Sequence, residues 1–216
     1  VETLAKASGV PVWNGLTDEW HPTQMIADFM TLKEHFGKLT GLTLTYVGDG
    51  RNNVANSLLI TGAILGVNIH IGAPADLQPN SQVIAAAKKA AAKSGAKILI
   101  TAAPKQAVAG ADALYTDVWI SMGEQVDYHQ RIDQLLPYQI NAQLVAATGK
   151  TDTVILHCLP AFHDTSTTVG QKFMADYNLT ALEITDDVFQ SPAALVFQEG
   201  ANRMPAIKAI MAATLG

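Results

Sequence analysis

Two hydrophobic rhythms alternate along this chain. Short runs of β-branched and aliphatic residues are separated by longer stretches in which apolar residues return every three or four positions. The short runs predict strands at 10–14, 42–47, 67–71, 97–101, 113–120, 153–157 and 182–185. The longer stretches predict helices at 21–36, from the Asn52-Asn53 pair to Leu65, at 81–94, near Gln106, at 125–135, 137–147, 169–177, and from Pro192 to about Ala213. Pro22 suits a first helical turn, and Gly95 suits the position just past a helix end. This alternation predicts an α/β fold. It is a doubly wound, mainly parallel, Rossmann-like sheet with helices on both faces. No internal repeat, low-complexity segment or flexible linker interrupts it.

Composition narrows the function classes. Apolar residues make up 49% of the 216 and charged residues 15%, enough for a full core and unlike a disordered chain. The net charge of -5 argues against non-specific binding to nucleic acid, which needs basic patches. One cysteine excludes an internal disulfide and fits a reducing compartment, so a cytoplasmic protein is expected. No apolar run reaches membrane-spanning length, and no signal-peptide pattern stands at the start. Residues 1–6 read as the end of a helix, with the expectation that an N-terminal part precedes them.

Five runs carry candidate chemistry. The strand at 153–157 ends on His157, Cys158 and Leu159 before Pro160. Ligands gather at such carboxyl ends in open α/β sheets, although a free cysteine also serves as a small buried hydrophobe. Gly48-Asp-Gly-Arg-Asn-Asn53 opens like a dinucleotide fingerprint. Asn53 stands in place of the third glycine, and the nearest acidic residue beyond the next strand is Asp76. Asn52 and Asn53 can still offer amides to a small polar ligand. Asp117 lies near a strand end and Gly123 in the loop beyond it, a carboxylate placed either for a ligand ammonium or as a helix cap. His21-Pro-Thr-Gln24 opens a helix, where free N–H groups favour anions. Near the C-terminus, Arg203 offers a fork of donors for an oxyanion or a surface salt bridge. A zinc site from His157, Cys158, His163 and Asp164 has suitable ligand types but matches no common spacing.

Taken in order, HPTQ, GDGRNN, DVWISMGE, HCLPAFHD and a final helix with ANRM make the chain resemble the ornithine carbamoyltransferases over nearly its whole length. The resemblance implies two α/β domains, one for carbamoyl phosphate and one for ornithine. Residues 1–36 would be the end of the first domain with its connecting helix, 37–191 the ornithine domain, and 192–216 the C-terminal helix. Nothing here matches the family's arginine-rich phosphate motif, so this stretch alone would be inactive. Two positions depart from the family, which usually has Glu where Ala201 stands and His where Pro205 stands.

Carried over by position, His21, Gln24, Cys158, Leu159 and Arg203 would bind carbamoyl phosphate. Asn53, Asp117, Ser121 and Met122 would hold L-ornithine. Cys158, Asp117, Arg203 and His21 would take part in catalysis, with Cys158 beside Asp117 acting on the attacking amine. The resemblance implies no metal and no cofactor, and a homotrimer or a multiple of trimers. The competing expectations are carbamoyl transfer to another amine such as putrescine, a dinucleotide-binding dehydrogenase domain, and a non-catalytic binding module.

Overall fold

Five of the predicted strands pair into one sheet in the computed structural model, which describes residues 1–120 and 124–215. They are β1 (Thr43–Val47), β2 (Asn68–Gly72), β3 (Ile98–Thr101), β4 (Ala113–Thr116) and β5 (Val154–His157). All neighbours are parallel, and the order is β3-β2-β1-β4-β5. The chain builds outward from β1 through β2 to β3, then returns past β1 to lay down β4 and β5. The carboxyl ends of β1 and β4 therefore part at a topological switch point, where such folds leave a crevice.

The helices are α1 (Glu2–Ser8), α2 (Pro22–Phe36), α3 (Asn53–Leu65), α4 (Ser81–Ser94), α5 (Pro104–Val108), α6 (Tyr128–Leu135), α7 (Ala142–Ala146), α8 (Thr168–Tyr177), α9 (Asp186–Phe189) and α10 (Val196–Leu215). They cover both sheet faces, and the strand pleat divides the core in two. Leu44, Tyr46, Ile69, Ile71, Tyr115 and Leu156 pack with Phe29, Leu58, Leu59 and Val83 from α2, α3 and α4. The alternate positions Val47, Leu114 and Ile155 pack with Val108, Ile132, Leu144 and Val188 from α5, α6, α7 and α9. Gly62 lets α3 lie directly on β2, since a Cβ there would come 2.3 Å from the Ile69 Cδ1 atom.

Several expected boundaries move for local reasons. Residues 10–14 form no strand; Val10 and Trp13 are exposed, and no neighbour offers them a ladder. β4 stops at Thr116, short of Ile120, because the Asp117 carboxylate takes the Val118 N–H at 2.8 Å and turns the chain out of the sheet. The helix expected at 125–135 starts only at Tyr128, where Asp127 caps it. The one expected at 137–147 splits into a short 3-10 turn holding Pro137 and then α7, capped by Asn141. Residues 182–185 are mostly buried but make only one isolated bridge, Ile140 to Ile184, rather than a strand. The last helix begins at Val196, not Pro192, and keeps Pro205 in its interior. The 3-10 turn Ala75–Leu77 and the single turn of α9 were not expected. No described helix is long and apolar enough to cross a membrane.

Candidate active site

Three neighbouring strands deliver polar groups to the switch point. β1 runs into the Gly48–Asn52 loop, β4 into Asp117, and β5 into Cys158. Gly48 has φ 136°, a conformation that favours glycine, and this turns the chain from β1 toward the α3 N-terminus. Asn52 caps α3 by accepting the Ala55 N–H at 2.7 Å. Its NH2 group donates to Asp117 Oδ2 at 3.1 Å and to the Tyr46 hydroxyl at 2.8 Å.

Asp117 is the hub. Its carboxylate accepts from Val118 N–H, from Asn52, and from the Cys158 thiol at 3.2 Å. Burial pushes the Cys158 thiol well above its ordinary pKa, and the Asp117 charge pushes it further. The thiol is therefore a neutral donor at neutral pH, and the acceptor of the pair is the carboxylate. Next to it, Leu159 has φ 51°, which is strained for a branched side chain. Its N–H donates to His157 Nδ1 at 3.0 Å, and the other ring nitrogen lies 3.3 Å from Glu183 Oε1. Burial pulls the His157 pKa down, but the hydrogen bond and charge of Glu183 outweigh it, leaving a net rise. His157 is thus a buried strut that holds the Cys158–Leu159 turn.

The second wall comes from α2 and α10. His21 precedes α2, and its backbone N–H donates to Ser57 Oγ at 2.8 Å. Burial lowers the ring's pKa, and the positive charge of Arg203 on α10 lowers it again, so the imidazole is neutral. His21 Nδ1 and Arg203 Nη1 are both buried with no partner among the described residues. Gln24, one turn along, spends its NH2 group on Asp28 Oδ1 at 2.8 Å and Glu199 Oε1 at 3.2 Å. Its carbonyl oxygen is left as the end that can meet a ligand.

The structure thus brings Asp117, Cys158 and Leu159 together on the sheet side, and His21, Gln24 and Arg203 on the helix side. Asn53 is turned elsewhere: its NH2 donates to the Thr17 carbonyl at 2.7 Å, and the amide at Asp117 belongs to Asn52. Ser121 and Met122 lie outside the described residues. The four-residue zinc set is not assembled. His157 and Cys158 cluster with Asp117, whereas His163 and Asp164 cluster with Asp186. The fingerprint-like loop does not suit a pyrophosphate. Its buried Asp49 places a carboxylate there, bound to Arg51 and Arg131 at 2.7 Å each. Sequence reasoning missed Tyr46, Asn52's contact with Asp117, Asp28 and Glu199. The signal available for the acids was a charged residue on the apolar side of each helix.

Of the two departures from the family pattern, Ala201 is exposed and Pro205 sits within α10 without ending it.

Comparison with known proteins gives the chain its relatives. Residues 40–214 match the Asp/Orn binding domain of aspartate/ornithine carbamoyltransferases, and residues 1–34 match the carbamoyl-P binding domain. The chain is 67% identical over its full length to an ornithine carbamoyltransferase of Lactiplantibacillus plantarum, and 60% identical to a catabolic ornithine carbamoyltransferase of Latilactobacillus sakei. It spans 64% of the length of each. Among solved structures, the ornithine carbamoyltransferase of Gloeobacter violaceus superposes with a TM-score of 0.85 at 39% identity, over 100% of this chain and 66% of that one. That of Pyrococcus furiosus gives 0.86 at 40% identity, over 98% and 61%. On the match of both domain models and the shared sheet, this chain belongs to the aspartate/ornithine carbamoyltransferase family.

Proposed function

We propose that the full-length protein is an ornithine carbamoyltransferase, which moves the carbamoyl group of carbamoyl phosphate to the δ-amine of L-ornithine and releases L-citrulline and phosphate. The observation that carries this reading is the pairing of two unlike walls. One has unpartnered buried nitrogens on His21 and Arg203, and the other has a carboxylate, Asp117, backed by a neutral thiol. The first suits a carbonyl on which negative charge develops, and the second suits a cationic amino acid.

In this reading the neutral δ-amine attacks the carbamoyl carbon. A carbon–nitrogen bond forms, the carbon–oxygen bond to phosphate breaks, and the nitrogen gives up a proton that leaves on the departing phosphate. Arg203 and His21 face the carbonyl oxygen, where donors aimed at the developing charge contribute most. The Gln24 carbonyl accepts from the carbamoyl NH2. Asp117, with Ser121 and Met122, holds the amino-acid end of ornithine, and Asn53 joins them only by giving up its bond to the Thr17 carbonyl. Cys158 acts as a hydrogen-bond donor and wall, and no acyl-cysteine step is needed. No step calls for a metal or an organic cofactor.

In the same reading, residues 1–36 close the carbamoyl-phosphate domain, 37–191 form the ornithine domain, and 192–216 return across both. The assembly is a homotrimer or a multiple of trimers, working in the cytoplasm in arginine metabolism.

The test uses the full-length chain with carbamoyl phosphate and, in turn, L-ornithine, putrescine and L-aspartate. Citrulline and phosphate should appear in equal amounts with ornithine, at a far higher kcat/KM than with the others. A preference for putrescine or aspartate overturns the substrate assignment.

A further inference from the structure

Behind the site, two carboxyl groups touch in the protein interior. Asp28 on α2 and Glu199 on α10 are each 0% exposed. Their surroundings are unequal. Glu199 Oε1 accepts from the Tyr115 hydroxyl at 3.0 Å and from Gln24 at 3.2 Å, and Oε2 accepts the His157 N–H at 2.9 Å. Asp28 Oδ1 accepts only from Gln24, and Oδ2 has no hydrogen-bond partner assigned to it. No lysine, arginine or histidine forms an ion pair with either acid among the described residues. Two ionised carboxylates held together without a cation repel strongly, and a single proton between them removes that cost. The donor count says which acid keeps it: three donors serve Glu199, and one serves Asp28.

We infer that Asp28 is held protonated against an ionised Glu199, and that this pair is a positioning device for Gln24 and for the strand end that presents Cys158. The two ends of a glutamine amide have nearly the same shape, so shape alone does not orient one. Here both acids face the Gln24 NH2 group, and that contact fixes its carbonyl toward the ligand. Through Oε2, the same Glu199 holds the backbone of His157, the residue before Cys158. One proton thus ties the two walls of the site together. Burial, and then the charge of Glu199, push the Asp28 carboxyl well above the usual carboxylate range. Burial also raises Glu199, while the hydrogen bonds from Asp28, the His157 N–H and Tyr115, and then the charge of the His157 imidazole, oppose the rise.

The kinetic half of this inference rests on the carbamoyltransferase reading; the location of the proton does not. Infrared spectra of the chain near neutral pH should show the C=O stretch of a protonated carboxylic acid, and Asp28→Asn should remove it. If that variant does not fold, carboxyl-13C labelling of aspartate in the wild type should shift the band. A missing band, or one that neither change moves, overturns the inference.

In the full-length chain, Asp28→Asn keeps a donor toward Glu199 and an acceptor for Gln24, and should retain kcat and the KM for carbamoyl phosphate. Asp28→Ala should raise that KM by roughly ten- to a hundredfold, more than it lowers kcat. If Asn damages the enzyme as much as Ala does, the shared proton is not what the site needs. If the wild type transfers no carbamoyl group at all, the infrared result still decides where the proton lies, and only the activity reading fails.

Discussion

Two buried acid clusters flank the site and solve the same problem in opposite ways. On the β1 side, Asp49 is neutralised by cations: Arg131 Nη1 and Arg51 Nη2 each lie 2.7 Å from Oδ2, and Arg131 also reaches Glu124 at 3.0 Å and the Trp119 carbonyl at 3.3 Å. On the α2–α10 side, no described cation forms an ion pair with Asp28 or Glu199, and the two acids share a proton. The ionic cluster ties the Gly48–Asn52 loop to α6 and so fixes Asn52 against Asp117. The protonic cluster fixes Gln24 and the end of β5. Charge pairing holds a loop firmly but brings positive charge with it. Proton sharing adds no charge beside the wall where, in the proposed reaction, Arg203 faces an oxyanion.

The largest effect should come from breaking the ionic cluster. Arg131→Met leaves Asp49 buried with only the half-exposed Arg51, and should cost about 3–5 kcal/mol of folding stability in denaturant melts. Adding Asp49→Leu should recover much of that loss, because the uncompensated charge goes with it. A single variant as stable as wild type would show that Arg51 alone neutralises the loop.

Next comes the contact the loop supports. Asp117→Asn in the full-length chain removes a charge-assisted contact worth roughly 1.5–3 kcal/mol, so kcat/KM for ornithine should fall by about ten- to a hundredfold. Intact ornithine kinetics would leave Asp117 as no more than the group that ends β4.

The protonic cluster should respond to pH in the opposite sense from an ion pair. The folded Asp28 carboxyl has a raised pKa, so the folded state holds a proton that the unfolded chain releases above about pH 4. Wild-type stability should therefore fall as pH rises from there toward the folded-state value. Asp28→Asn carries no such proton, and keeps its contacts to Gln24 and Glu199, with Tyr115 and the His157 N–H still serving Glu199. It should gain on wild type as pH rises through that window, and show no advantage below it. Parallel stability–pH curves for the two proteins would place the proton elsewhere.

Much of this architecture is legible in the sequence, because parallel strands buried on both faces leave short runs rich in aliphatic and β-branched residues such as 42–47 and 153–157. The motif residues at strand ends are legible for the same reason: once a run is a strand, its last residue lies at the crevice. What is not legible is where side chains override the ladder. Asp117 ends β4 by taking a backbone N–H, and a run with good strand composition at 182–185 instead delivers Glu183 to His157. The sequence also does not show that Asp28 and Glu199, 171 positions apart, meet inside the fold. Each alone reads as an acid on the apolar side of its helix, and only the packing of α10 on α2 pairs them. Asn52 and Asn53 are a similar case. The spacing identifies both as amides near a helix start, but one residue of rotation sends the first to Asp117 and the second to Thr17.

The smallest expected effect lies outside both clusters and isolates them. Asn80 caps α4 by accepting the Val83 N–H at 2.9 Å, and its side chain belongs to neither acid cluster. α4 packs on α3 beside β2, through Val83, Ala87 and Ala91 in the same apolar core that carries Tyr46 and Tyr115. Asn80→Ala removes one cap and should cost about 1 kcal/mol of stability. If the site is positioned by its two acid clusters, as the comparison holds, that loss should leave kcat/KM for ornithine unchanged at a temperature where the variant is fully folded. A fall in kcat/KM with Asn80→Ala under those conditions would mean that general rigidity of the sheet, and not the acid clusters, sets the geometry of Asp117 and Cys158. The measurement is a paired melt and steady-state assay on one preparation of the full-length variant, so that stability and turnover are read on the same molecules.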